Sequence, residues 1–215
     1  MAGLVPAISL RRARRLPKPI KRAEGASPRM GGLGLKPRYV MMEKKTAREI
    51  AGLTHTAMKG DPQAWFRLAS SFHAAATVLN DFQERIPSDS RPFVFNAALS
   101  LELLFKSVLA KENVEIPDGR EGHDLGLLCQ KAGITLSANQ ALTLELMTEE
   151  LIWFARYPTP KQAQRFDRFH DVILEKHMIR THSGNVFRTM ANRETFSDFE
   201  NYTKLWGMAV EKFTA

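Results

Sequence analysis

From residue 43 onward apolar side chains recur at every third or fourth position, the spacing that lines one face of an α-helix, and no stretch alternates as a half-buried strand would. The pattern predicts an all-α fold. A first helix is expected over Glu43–Lys59, stopped by Gly60, after which Asp61-Pro62 supplies an N-cap followed by proline at the first helical position. The helix this launches carries Trp65, Leu68, Phe72, Ala75, Ala76, Leu79 and Phe82 on one apolar face and ends before Pro87. The next starts near Ser90-Arg91-Pro92 and runs to about Asn113. It aligns Phe93, Ala97, Leu101, Leu104 and Val108, which marks it as the central helix.

Pro117-Asp118-Gly119 and Gly122 then break the chain. A short helix is expected over His123–Lys131, closed by Gly133. Ser137 with Gln140 three residues on has the form of a capping box, opening a helix through Leu144, Met147, Leu151 and Phe154 to about Tyr157. Thr159-Pro160 repeats the cap-and-proline signal for a helix to about Met178, and Ser197–Phe213 forms the last. The polar segment Thr181–Glu194 between these two is expected to be a loop. The sum is an up-and-down arrangement of about five to six helices in a single domain over 43–215.

Before residue 43 the pattern is lost. Pro6 to Pro37 mixes Arg, Lys, Pro and Gly without periodicity, so 1–42 reads as a disordered basic tail. The opening Met-Ala-Gly-Leu-Val-Pro-Ala-Ile resembles a stretch that heads many bacterial reading frames, which leaves Met41 or Met42 as an alternative start. Charge follows the same boundary. The chain carries 31 Lys and Arg against 23 Asp and Glu, and residues 1–38 hold ten of the former and only Glu24 of the latter. That leaves 21 basic and 22 acidic residues for the rest, so the cationic character that would draw nucleic acid belongs to the tail.

The one cysteine, Cys129, excludes an intramolecular disulfide and a cysteine zinc cluster, and suits a reducing cytoplasm. The richest apolar run, Leu99–Phe105, is broken by Glu102, so no membrane span is expected and the protein is read as cytoplasmic. GxxxxGK[ST], GxGxxG, HExxH and GxSxG are all missing, which removes the commonest routes to nucleotide hydrolysis, dinucleotide redox chemistry and serine hydrolysis. No cofactor is expected.

What remains is a set of polar residues in apolar helical context. Asn96-Ala97-Ala98-Leu99-Ser100-Leu101-Glu102-Leu103-Leu104-Phe105-Lys106 is followed by His123-Asp124-Leu125 and then by Ala155-Arg156-Tyr157-Pro158. In order and separation these resemble the HEPN superfamily of bacterial helical-bundle proteins, over about residues 62–180. The resemblance implies a bundle that dimerises, often within toxin–antitoxin or phage-defence systems beside a cognate antitoxin or nucleotidyltransferase protein. It also implies a metal-independent endoribonuclease activity carried by an arginine and a histidine four to six residues apart.

Arg165 and His170 have that spacing. His170 would act as general base or acid at a ribose 2′-hydroxyl while Arg165 stabilises charge on the phosphate. Five residues turn a helix by about 500°, however, leaving the two roughly 140° apart unless a dimer or a distortion unites them. Their plain alternative is a solvated helix face. Lys106, His123 and Arg156 are candidates for binding RNA or a nucleotide, each with a structural counterpart: Lys106 pairs with Glu102 one turn earlier, His123 caps the short helix, Arg156 closes a helix end. His170, His177 and His182 raise a metal site, but the first two lie two helical turns apart, so none is expected. Beside the ribonuclease reading stands a non-catalytic helical protein that binds a nucleotide or a protein partner.

Overall fold

The computed structural model describes residues 44–86, 91–183 and 186–215. The expected basic tail over 1–42, the starts at Met41 and Met42, the helix start at Glu43 and the break at Pro87–Ser90 lie outside them. Within them the fold is largely α-helical, with one small sheet.

The first expected helix is two. α1 (Lys44–Ile50) ends where Gly52 takes φ 66°, letting the Gly52 N–H reach Glu49 and the Leu53 N–H reach Arg48 in a Schellman turn. Thr54 then caps α2 (His55–Gly60) through the Ala57 N–H. α3 (Pro62–Asp81) starts as its signal dictates, Asp61 accepting from the Gln63 N–H with Pro62 behind it. Most of its expected face meets the core, with Ala76 fully buried and Trp65, Phe72 and Leu79 packed against it; Ala69 is buried beside them, whereas Leu68 and Phe82 are 47% and 44% exposed. Small residues sit where α3 lies along α4 (Pro92–Lys111), which lets the two helices approach closely.

α4 is the centre. Every residue from Ser100 to Leu109 is buried, with α3, α5 (Leu125–Lys131) and α8 (Phe199–Thr214) packed around it. By length and composition α4 would suffice to cross a membrane, since an 18-residue window reaches a mean hydropathy of 1.6, but the fold buries 72% of that window. Tyr202 of α8 ties the core together: its hydroxyl meets Ser100 at 2.8 Å and the His73 Nδ1 at 2.6 Å, while His73 stacks on Trp206. Cys129 is fully buried on α5, and burial pushes its thiol up to about 12.

α6 (Ala138–Glu149) opens with the expected capping box between Ser137 and Gln140. It then widens into a π-turn over Glu150–Phe154, marked by the Ala155 N–H reaching back five residues to Glu150. α7 (Ala163–Val172) starts three residues later than Thr159-Pro160 announces, and it too ends in a π-turn, Ile173–His177. Leu146, Trp153 and Phe169 form a second apolar cluster joining α6 to α7. The expected helix to Met178 stops there, and the expected loop over 181–194 is replaced by an antiparallel hairpin. β1 (Met178–Ser183) pairs with β2 (Val186–Ala191), Met178 opposite Ala191 and Ser183 opposite Val186.

Candidate functional site

Two of the sequence candidates meet on one carboxylate. Glu102 and Lys106 stand four apart on α4 and are both buried, so their 2.6 Å contact lies in the core and not on the solvated face where such pairs add little. The other Glu102 oxygen takes a 2.8 Å hydrogen bond from Nδ1 of His123, whose side chain is about half exposed. His123 reaches it from a 3-10 turn over Glu121–His123. A Cβ on Gly122 would stand 2.6 Å from the Pro117 carbonyl, so this turn closes only around glycine. His123 is therefore not the cap of α5; Asp124 is, accepting from the Leu127 N–H at 2.9 Å.

On the other side of that turn a cleft of about 530 Å³ opens between α5, α6 and α7. Arg120 lines it ahead of α5, Arg165 and Arg168 line it from α7, and Leu146, Ile152 and Phe169 supply apolar wall. Arg165 binds Glu149 through two parallel hydrogen bonds of 2.9 Å, Nε to Oε2 and an Nη to Oε1, and Glu149 also accepts from the Trp153 indole at 2.7 Å. Burial pushes the Glu149 carboxyl upward, but Arg165 and Trp153 outweigh it and hold it below the usual carboxylate range. The cleft's acids are engaged within the fold: Glu149 with Arg165, Glu145 with Lys176, and Asp124 as the α5 cap. Among the described residues Arg168 has no ion-pair partner, and Arg120 makes no contact ion pair, although its charge also helps to hold the Glu149 carboxyl down.

Each π-turn carries a buried polar atom without a partner, on Glu150 at the start of the first and on His177 at the end of the second. Glu150 accepts from the Ser197 hydroxyl through Oε1, while Oε2 is unpaired; burial pushes its carboxyl up to about 8, against the smaller opposing pull of Ser197 and Arg91. His177, fully buried and lining the cleft, donates from Nδ1 to the Thr195 carbonyl at 2.9 Å and leaves Nε2 unpaired. Burial holds this imidazole below its ordinary value. π-turns inside helices recur at functional sites, because the extra residue redirects the side chains that follow.

The structure thus brings Lys106 and His123 together through Glu102, sets Arg165 in the cleft, and leaves Arg156 and His170 elsewhere. Arg156 is exposed, its guanidinium over the Phe95 and Tyr157 rings and 3.2 Å from the Tyr157 hydroxyl. His170 is absent from the cleft lining; its Nδ1 meets the Phe166 carbonyl at 2.9 Å and its ring packs among Phe154, Phe166 and Phe169. His177 faces Thr195 and His182 lies on β1, and among the described residues no group of three His, Cys, Asp or Glu is placed to hold a metal ion. Sequence reading missed Arg120, Glu149, Glu150 and the cleft role of His177. Only Trp153 four residues after Glu149, at intrahelical hydrogen-bonding distance, offered a signal. Compared with protein-family models, curated proteins and solved structures, the chain finds no match in any of the three.

Proposed function

We propose that this chain is a HEPN-like helical-bundle protein that binds a phosphate-bearing ligand, a nucleotide free or within RNA, in the cleft between α6 and α7. The observation that carries the reading is the charge pattern: the acids of the cleft are engaged, Arg168 lines it exposed and without an ion-pair partner, and Arg120 lines it without a contact ion pair, its charge felt by Glu149 only at longer range. Arg165 adds to them. Its bidentate bond to Glu149 uses two of five N–H donors and fixes the guanidinium plane, a preorganised group for a planar or tetrahedral anion. A volume of about 530 Å³ lies within the range of small-molecule and cofactor sites, and Phe169 and Ile152 offer a base an apolar wall.

The bundle arrangement, the homodimer, the cytoplasmic setting and a partner such as an antitoxin or nucleotidyltransferase come with the HEPN resemblance and form part of this proposal. Catalysis within one chain is not, because His170 stands outside the cleft that holds Arg165. Fluorescence anisotropy with a labelled short RNA, competed by adenosine 5′-monophosphate, tests the binding reading. Replacing Arg120 and Arg168 by Ala should weaken binding at least tenfold, since hydrogen bonds to charged groups contribute about 1.5–3 kcal/mol each. Unchanged affinity in the double variant overturns it. Metal-independent RNA cleavage in EDTA that is lost in Arg165→Ala/His170→Ala would favour the ribonuclease instead.

A further inference from the structure

We infer that His177 is the specificity-determining residue of this cleft, its Nε2 accepting a hydrogen bond from an N–H or O–H of the bound phosphate ester. The inference rests on the cleft being the binding site and goes beyond it by naming what the ligand must carry besides phosphate. The tautomer follows from geometry. The Thr195 carbonyl can only accept, so the 2.9 Å contact requires the proton on Nδ1, and the neutral ring then presents a bare lone pair at Nε2. That lone pair is buried and unpartnered on a ring that lines the cleft. A buried acceptor left unpaired is costly, so a ligand donor that reaches it recovers the loss, and a ligand without one does not.

The ring is held for this task from its other edge. Thr195 accepts from His177 Nδ1 and from the Thr143 hydroxyl at its carbonyl, and its own hydroxyl donates to the Lys176 carbonyl at 3.0 Å. The Asn192 N–H closes on the His177 carbonyl at 2.8 Å. The imidazole therefore cannot turn to satisfy Nε2 without breaking these bonds. Its position at the end of the π-turn, where α7 gives way to β1, sets it against the same cleft that Arg165 and Arg168 line from α7.

The test is a calorimetric titration of the full chain with adenosine 5′-monophosphate and three analogues, each lacking one donor: the purine without its 6-amino group, the 2′-deoxyribose and the 3′-deoxyribose. The wild type should lose affinity about tenfold or more with at least one analogue. In His177→Asn, which keeps a donor for Thr195 but has no atom at the Nε2 position, the parent nucleotide and that analogue should bind alike. Equal binding of all four ligands to the wild type overturns the role of His177 and leaves the cleft reading standing. A loss with one analogue that persists unchanged in His177→Asn assigns selection to another group and overturns it too. No binding of any nucleotide by a wild type of normal melting temperature removes the cleft reading, and the role of His177 with it.

Discussion

Glu102 divides its two oxygens between Lys106 and His123, and what this arrangement is worth depends on its burial. Exposed pairs one helical turn apart contribute a few tenths of a kcal/mol, but Glu102 and Lys106 are nearly inaccessible. Removing one partner strands the other charge in the core at a cost of about 3–5 kcal/mol. Glu102→Gln should therefore lower unfolding free energy by an amount in that range, measured by urea denaturation near neutral pH. A loss below about 1 kcal/mol would mean the pair is solvated after all.

Glu150 and His177 make opposite pH predictions. The Glu150 carboxyl is raised from its ordinary 4.5 to about 8, so the folded protein holds a proton that the unfolded chain releases. Its share of stability is complete below about 4.5 and is lost as pH rises towards 8. Glu150→Gln, which keeps an acceptor for Ser197, should flatten the melting temperature over that window. His177 is lowered by burial, so its share is complete above its ordinary value of 6.5 and is lost as pH falls below it. A melting temperature that climbs between pH 7 and 8 in the wild type, above the window in which His177 gains, would contradict the Glu150 assignment.

Among the elements, the 3-10 turn over Glu121–His123 is the joint on which both polar regions depend, since it carries His123 to Glu102 and stands between Arg120 and Asp124 of the cleft. Gly122→Ala forces a methyl against the Pro117 carbonyl and should cost about 1–3 kcal/mol, as overpacking does, read as a drop in melting temperature. Tyr202→Phe at the crossing of α3, α4 and α8 should cost a similar amount by leaving His73 and Ser100 without their shared partner.

The helices were legible where a local signal fixes them: Asp61-Pro62, Ser137 with Gln140, and Gly133, whose φ of 67° closes α5. The central place of α4 follows as plainly from its unbroken apolar content. The hairpin was not, although Gly184-Asn185 between Val-, Thr- and Phe-bearing runs is a two-residue turn signal; the interspersed arginines and His182 gave the segment a loop's polarity. Periodicity cannot announce the π-turns either, because one extra residue shifts the stripe without ending it. Leu68 shows the same limit, since a count of apolar positions at helical spacing does not say which edge of the stripe is left to solvent.

At the scale of the molecule, positive charge is concentrated in the first 38 residues of the sequence. Residues 39–215 are close to neutral, so affinity for a phosphate-bearing ligand in the cleft has to come from placement, with the cleft acids engaged internally and Arg120 and Arg168 outside any contact ion pair. Weak dependence on salt follows: doubling ionic strength should reduce binding far less than for a protein that contacts many phosphates. Cleft and core are also coupled through the segment Thr195–Ser197, which receives His177 and binds Glu150 before capping leads into α8. The most direct test of nucleotide binding in this cleft is amide chemical-shift mapping of the isotopically labelled full chain titrated with adenosine 5′-monophosphate. Binding in the cleft should give saturable shifts concentrated at Arg120–Gly126, Glu145–Ile152 and Arg165–His177. Shifts that saturate elsewhere, or none at millimolar nucleotide, would contradict it.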